Sequence, residues 1–296
     1  MKYTKPPLTL EAQADLLIKR GLIVDKALLI DCLKNVNYYR LSGYLYPYRK
    51  SNDNFKSGIT FQKVWRHYTF DRRLRLIVMD AIERFEVSIK TQLIYTLAHT
   101  IGASGYTNQA NFPKLTSEEH ERLIKTITDE VARSKEKFVD HFKVKYGDCH
   151  EYLPLWMAGE IMSFGCALTM YRGVSDQIKQ KIANHYGIPD EILTSWLKTI
   201  NVIRNICAHH SRLWNREMGV KPYIPRKKKY PQWHEPVAIS QNRIFGVLTI
   251  FHYLLKIIAP QSNWKARLCS LLDEYPEISR WSMGFSDNWK ESSLWK

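Results

Sequence analysis

The stretch that decides the fold runs from Thr60 to His99 and reads TFQKVWRHYTFDRRLRLIVMDAIERFEVSIKTQLIYTLAH. Large apolar residues recur in it at intervals of three and four, the spacing of one buried stripe on an α-helix. The stripe consists of Leu74, Ile77, Val78, Ala81, Ile82, Phe85, Ile89 and Leu93. The opposite, polar face carries Asp71, Arg72, Arg75, Glu83 and Glu86. An unbroken helix would be roughly 60 Å long at 1.5 Å per residue, with a break near Phe70 and Asp71 as the alternative.

Helix signals continue on both sides of this stretch. Thr9 and Asp25 are expected N-caps of two short helices that run to about Lys19 and Leu33. An aromatic cluster at 38–46 is expected to pack on them. Downstream, helices are predicted over 116–146, 154–165, 175–187, 189–214, 241–259 and 262–275. No strand pattern competes with these helices, so we predict an all-α fold.

The predicted helices divide into three parts. Residues 1–59 form an N-terminal helical extension, 60–215 a helical core, and 216–296 a basic loop with two C-terminal helices packed on the core. Between 216 and 240 the helical pattern lapses, because four prolines interrupt it. We expect a loop or a short hairpin there.

The charge balance points to a polyanionic partner. Among 296 residues, 44 Lys and Arg stand against 29 Asp and Glu, a net charge of +15. A positive field of this size attracts polyanions, so nucleic acid is the first candidate partner and an anionic membrane surface the second. The alternative is a basic protein without a polyanionic partner. The 45% of hydrophobic residues argues against a disordered chain.

Nothing in the sequence calls for a cofactor or a membrane. The five cysteines contain no C-x-x-C pair, so neither a disulfide framework nor a zinc site is expected, and a reducing cytoplasm fits. The opening stretch 1–7 leads into no apolar signal core. The most apolar stretch, 245–259, contains His252 and Lys256 and is too short to span a bilayer. We expect a cytoplasmic protein without cofactor or metal.

The helix predicted over 189–214 carries the residues of most chemical interest. Its apolar stripe consists of Leu193, Trp196, Leu197, Ile200, Ile203 and Cys207. Asn201, Asn205 and His209 are spaced at i, i+4 and i+8, so they share a second, polar face. The long side chain of Arg204 can reach the same edge. Two apolar residues border that face, Val202 and Ile206.

Arg, Asn and His on one helix edge form a chemically useful set. Arginine is a permanent planar cation that can hold a phosphate with two hydrogen bonds. Histidine moves protons near neutral pH, and asparagine can orient either group. No carboxylate cluster suited to Mg²⁺ accompanies them, which favours metal-free cleavage of RNA by its own 2′-hydroxyl. The alternative is a polar latch between packed helices.

Residues 204–209 fit the R-x-x-x-x-H signature of HEPN ribonucleases, with Asn directly after the Arg. The wider segment 201–215, NVIRNICAHHSRLWN, resembles the Abi-like proteins of bacterial abortive infection, the AbiD/AbiF group. Three further places carry the resemblance over nearly the whole chain: 70–75 with 80–84, 160–165, and 283–285 with Trp289.

The resemblance implies an all-α HEPN core that dimerises, so that two motif helices flank one RNA-cleaving cleft. It also implies anti-phage defence through a toxic shutdown of the infected cell, and association of some members with a structured small RNA. In this chain, Arg204 would stabilise the pentacoordinate phosphate, His209 would be general acid or base, and Asn205 would orient them. RNA would be cleaved to a 2′,3′-cyclic phosphate and a 5′-hydroxyl.

A second set of residues is expected to support the site or bind RNA: Asn201, His210, Arg212, Asn215, Arg226, Lys227, Lys228 and Lys229. For each of them a packing, capping or solvated-surface role is the alternative. Two other functions stay open at this point. One is a non-catalytic module that clamps a cognate structured small RNA, and the other is a helical scaffold without an RNA role.

Overall fold

A computed structural model describes Lys2, Thr4 and residues 6–296, and it confirms the all-α prediction. Met1, Tyr3 and Lys5, part of the opening stretch in which no signal core is expected, lie outside the described residues. The described part forms twelve α-helices and no strand. They are α1 Leu10–Lys19, α2 Lys26–Asn35, α3 Tyr38–Leu45, α4 Phe61–Ile101, α5 Ser117–Arg133, α6 Lys137–Tyr146, α7 Leu155–Ile161, α8 Phe164–Gly173, α9 Asp176–His185, α10 Asp190–Ala208, α11 Ile244–Ile258 and α12 Trp264–Glu274.

The central element is α4, a single unbroken helix of 41 residues. Thr60 caps its start by accepting from the Lys63 amide at 3.3 Å, and Gly102 ends it with a φ of 80°. Every residue of the predicted apolar stripe is buried. The break considered near Asp71 is absent. Because helices α3, α7, α8, α9, α10, α11 and α12 all pack on α4, the core is built around its length.

Two residues of the expected polar face of α4 are buried instead. Asp71 is 0% exposed and Arg75 5% exposed, whereas Arg72 and Glu83 meet solvent. Helix α3, formed by the aromatic cluster, contacts α4 and buries Tyr44. The buried pair lies beside the chain that follows α10, because Asp71 accepts from the amides of Leu213 and Trp214.

Local sequence signals locate most helix starts. The predicted caps Thr9 and Asp25 accept hydrogen bonds from backbone amides three residues on. Thr116 and Glu119 form a capping box at the start of α5. The Ser175 hydroxyl caps α9 by accepting from the Ile178 amide at 3.4 Å. These caps act within one turn of chain, so the sequence alone specifies them.

Three predicted helices are shorter than expected. The segment 116–146 is two helices, because Ser134 accepts from the Glu136 amide at 3.2 Å and turns the chain between α5 and α6. The segment 154–165 is also divided, with Ser163 capping α8 at the amide of Cys166. The third, α10, ends at Ala208 rather than near Trp214.

The C-terminal part follows the predicted order. Residues 209–243 contain one short 3₁₀ turn and no hairpin strands, so the basic segment is a loop. Helices α11 and α12 both pack on α4, and the Trp264 indole donates to the Ile77 carbonyl at 2.7 Å. Within the described residues, no helix combines the length and apolarity needed to cross a bilayer.

Candidate functional site

Helix α10 carries the motif. Asp190 and Glu191 lie in its first turn, where their negative charges interact favourably with the positive end of the helix dipole. Its predicted apolar stripe is buried throughout and packs on α4, α8 and α9. Val202 is 37% exposed and Ile206 is half-buried, as their place beside the polar edge predicts. The helix is therefore anchored by one face and leaves the other accessible.

The end of α10 explains why the helix stops before Trp214. His210 has a φ of 56°, in the left-handed region. Its amide donates to the Cys207 carbonyl at 3.0 Å, and the Ser211 amide donates to the Ile206 carbonyl at 2.8 Å. This pair of bonds is the Schellman motif, which normally places glycine where His210 stands. The turn leaves His209 exposed at the C-cap, directly after the last residue of the helix.

Within the described residues, the three predicted catalytic side chains form no hydrogen bond or ion pair. Asn205 and His209 are exposed, and Arg204 is half-buried. Among the residues that the structure describes, none forms a hydrogen bond or ion pair with these three side chains. The Arg204 Nε atom is buried and has no hydrogen-bond partner. The exposed Asn205 and His209 side chains are thus available to a ligand, and Arg204 can bind one through its terminal guanidinium nitrogens.

A carboxylate on α4, that of Glu86, interacts electrostatically with Arg204, and no motif in the sequence predicts this interaction. Burial raises the pKa of half-buried Glu86, while the positive charges of Arg204 and Lys90 oppose that rise. No ion pair within 4.0 Å joins Glu86 to either cation.

A buried network fixes the chain directly after the motif. One carboxylate oxygen of Asp71 accepts from the backbone amides of Leu213 at 3.0 Å and Trp214 at 2.5 Å. The other accepts from the Tyr44 hydroxyl at 2.5 Å and from Arg75. Burial raises the pKa of the Asp71 carboxyl, and these four donors with the Arg75 charge favour its ionised form. The sequence pattern does not predict this network, because it places Asp71 and Arg75 on a polar face of α4.

Helix α3 holds the same turn from a second side. The Arg40 guanidinium donates to the His210 carbonyl. The Arg212 guanidinium donates to the Gly43 carbonyl at 3.3 Å. Arg212, expected to support the site or bind RNA, is therefore engaged in holding α3 against the turn.

The remaining supporting residues near the motif differ in their availability. Asn201 and Asn215 are half-buried, and His210 is exposed. None of their side chains forms a hydrogen bond with a described residue. Asn215 has a φ of 49°, a conformation that asparagine adopts more readily than most residues.

The basic cluster lies at the other end of α10. Residues 226–229 form an exposed turn, in which Lys227 pairs with Glu235. The Tyr230 hydroxyl next to it donates to the Gly187 carbonyl at 3.3 Å, just before α10 begins. From its first residue, Asp190, α10 extends 14 residues to Arg204, which is about 21 Å along a helix. The structure does not bring Arg226, Lys227, Lys228 and Lys229 to the motif of the same chain.

Neither a cysteine nucleophile nor a metal centre is found in this region. Burial raises the pKa of the Cys207 thiol to about 12, so it stays protonated at neutral pH. Across Lys2, Thr4 and 6–296, no three His, Cys, Asp or Glu residues are grouped so as to hold a metal ion.

Comparison with known proteins places the chain in a family. The family model described as Abi-like protein matches residues 31–215, more than half of the chain. The match includes the α10 motif, Asp71 and Arg75, whereas 283–285 and Trp289 lie beyond it. No curated protein and no solved structure matches the chain. The chain belongs to the Abi-like protein family.

Proposed function

We propose that this protein is a HEPN-type endoribonuclease of abortive infection that cleaves RNA without a metal ion. The observation that carries the proposal is the state of Arg204, Asn205 and His209. These three side chains, at one end of one helix, have no hydrogen-bond or ion-pair partner in the described protein, while the turn beyond them is held by a buried network. Family membership and the net charge of +15 support it.

The reaction uses the 2′-hydroxyl of the RNA as nucleophile. Its oxygen attacks the adjacent phosphorus, and the bond to the 5′-oxygen breaks. One proton leaves the 2′-hydroxyl and one is given to the 5′-oxygen, so the products are a 2′,3′-cyclic phosphate and a 5′-hydroxyl. Arg204 holds the non-bridging oxygens, His209 transfers a proton, and Asn205 orients them. Since the guanidinium supplies the charge stabilisation, no metal is needed.

The proposal includes a symmetric homodimer and a second RNA partner. One α10 helix offers a single His209, yet the reaction needs one group to take a proton and another to give one. A two-fold axis beside α10 supplies both from identical chains. Val202, 37% exposed, and Ile206 are the apolar residues available for that interface. The basic surface can also bind a structured small RNA.

Cleavage of labelled RNA in EDTA tests the proposed function. We expect the wild type to release products ending in a 2′,3′-cyclic phosphate. We expect His209→Ala and Arg204→Ala each to lose at least about 100-fold in rate, the lower range for a proton-transfer or charge-stabilising group. Their unfolding midpoints should change little, because neither side chain has a hydrogen-bond partner. His141→Ala is the matched control, an exposed histidine outside the motif.

Three outcomes would contradict parts of this proposal. Strict dependence on Mg²⁺ or Mn²⁺ would exclude the metal-free mechanism. Tight RNA binding with no cleavage under any condition would indicate the non-catalytic module that clamps a small RNA. A large loss of stability in the Arg204 or His209 variant would indicate a structural latch.

A further inference from the structure

We propose that the groove between α4 and α7 is a base-stacking subsite for single-stranded RNA. This inference rests on the proposed function, because the RNA is the substrate of that site. The groove has a volume of about 350 Å³. Its lining includes Tyr95 and His99 from α4, Trp156 and Glu160 from α7, and Lys90.

Two large aromatic side chains in this groove are left in water. Tyr95 is 63% exposed and Trp156 is 52% exposed. Val87, 61% exposed, lines the same groove two turns before Tyr95. Proteins that bind single strands without sequence preference use such exposed rings as stacking platforms, since every base has a π-face. Tyr95 and Trp156 give the groove two such exposed rings.

The Tyr95 ring is held in place before any ligand arrives. The Nδ1 of His99 donates to the Tyr95 carbonyl at 2.8 Å, and the two rings lie 4.2 Å apart between centroids. Gly159 brings α7 close to α4, because a Cβ there would lie 2.7 Å from the Ile94 side chain. Trp156 precedes Gly159 by almost one turn, so this close approach sets its place in the groove.

The charges connect the groove to the motif. Lys90 lines the groove and donates to the Met162 carbonyl at 2.8 Å, and its charge also acts on Glu86. Glu86 in turn interacts with Arg204. Glu160 places one negative charge in the groove, so stacking rather than phosphate neutralisation must supply the local affinity. The net charge of +15 supplies the long-range attraction for RNA.

The distances suit a strand that continues into the candidate site. Tyr95 lies nine residues beyond Glu86 on α4, about 14 Å along the helix at 1.5 Å per residue. That length corresponds to roughly four stacked nucleotides at about 3.4 Å each. The groove would therefore bind bases a few positions from the phosphate held by Arg204.

Binding by the His209→Ala protein tests the subsite without interference from cleavage. Fluorescence anisotropy with a labelled single-stranded RNA of about twelve nucleotides gives the affinity. Adding Trp156→Ala or Tyr95→Ala should weaken binding roughly 5- to 100-fold, the range for one lost stacking partner. Trp156→Phe should keep most of the affinity, because its ring can still stack. Trp281→Ala is the matched control, since Trp281 is 84% exposed outside the groove and should change nothing.

Several results would overturn the subsite. Unchanged affinity in both alanine variants would do so, as would an equal loss for fully double-stranded RNA. A drop from dimer to monomer by light scattering in these variants would identify the groove as a protein interface. Cleavage by the otherwise wild-type variants separates the two proposals. If cleavage persists without a binding effect, only the subsite fails, and if His209→Ala still cleaves, only the proposed function fails.

Discussion

His210 is the one residue at the motif whose backbone conformation disagrees with its type. It holds the left-handed position that ends α10, with a φ of 56°. A residue with a Cβ is destabilised there by about 1–2 kcal/mol, although histidine is among the more tolerant residues. We predict that His210→Gly raises the free energy of unfolding by about 0.5–1 kcal/mol, because strain relief outweighs the added entropy of the unfolded chain. Urea denaturation measures this change.

The same variant tests whether the His210 ring takes part in the chemistry or is dispensable for it. Arg40 binds the His210 carbonyl, which glycine keeps, so the turn should be retained. We expect cleavage to fall by less than the roughly 100-fold that a general acid or base contributes. Asn215→Gly is the control, since asparagine already tolerates its φ of 49° and should gain less stability. A 100-fold loss with normal stability would place the His210 ring in the chemistry.

Two arginines show how contacts separate structural from functional side chains. Arg75 is buried and binds Asp71, Tyr44 and the Ser211 carbonyl. Arg204 is half-buried and binds none of the described residues. Removing Arg75 would leave a buried carboxylate unpaired, which costs about 3–5 kcal/mol. Removing Arg204 leaves no buried group without its partner, so its loss should affect activity and not folding.

At the scale of elements, α3 and α4 together determine where α10 ends. We predict that Tyr44→Phe loosens the turn at Leu213 and Trp214, because the Asp71 carboxylate that binds both amides loses one donor. Hydrogen exchange at these two amides should accelerate, and RNA cleavage should fall. The expected loss of stability is about 1.5–3 kcal/mol for one hydrogen bond to a charged group.

Tyr106→Phe is the matched control for this prediction. The Tyr106 hydroxyl is also buried and donates to the Leu153 carbonyl at 2.8 Å, away from the motif. Its loss should cost stability without changing exchange at Leu213 and Trp214. Equal exchange and equal cleavage in the two variants would mean that the network only stabilises the fold.

The sequence predicted elements whose signals are local. The α4 stripe and the N-caps Thr9 and Asp25 follow from signals within one helix, and all are confirmed. The burial of Asp71 depends on partners more than 140 residues away in the chain, so periodicity placed it on a polar face. The end of α10 was also missed, because a histidine occupies the position where glycine would have signalled a stop.

For the candidate site too, the sequence predicts the local part and not the part that depends on tertiary packing. Arg204, Asn205 and His209 were predicted from spacing within one helix and from a family signature. The charge of Arg204 acts on Glu86 only because α4 packs against α10. No pattern along the chain carries that information. Tertiary contacts therefore supply the surroundings of the motif, while the motif itself can be read from the sequence.

At the scale of the whole molecule, one chain leaves the proposed chemistry incomplete. Among the described residues, His209 is the only histidine with both motif spacing and an exposed place at the end of α10. The basic turn 226–229 lies beside the start of α10, about 21 Å from Arg204 along that helix, too far to bind the same phosphate. A second chain placed across α10 would supply a second His209 and bury Val202 and Ile206.

Co-expression of two differently tagged chains tests this composite site. Wild type and His209→Ala are produced together at known ratios, and total RNA cleavage is measured. If both His209 residues are needed, only dimers of two wild-type chains cleave, so activity follows the square of the wild-type fraction and falls to about a quarter at equal amounts. Co-expression with His141→Ala should leave activity unchanged, because that exposed histidine lies outside the motif. A linear fall to about half, or a monomer at the working concentration, would show that each chain cleaves alone.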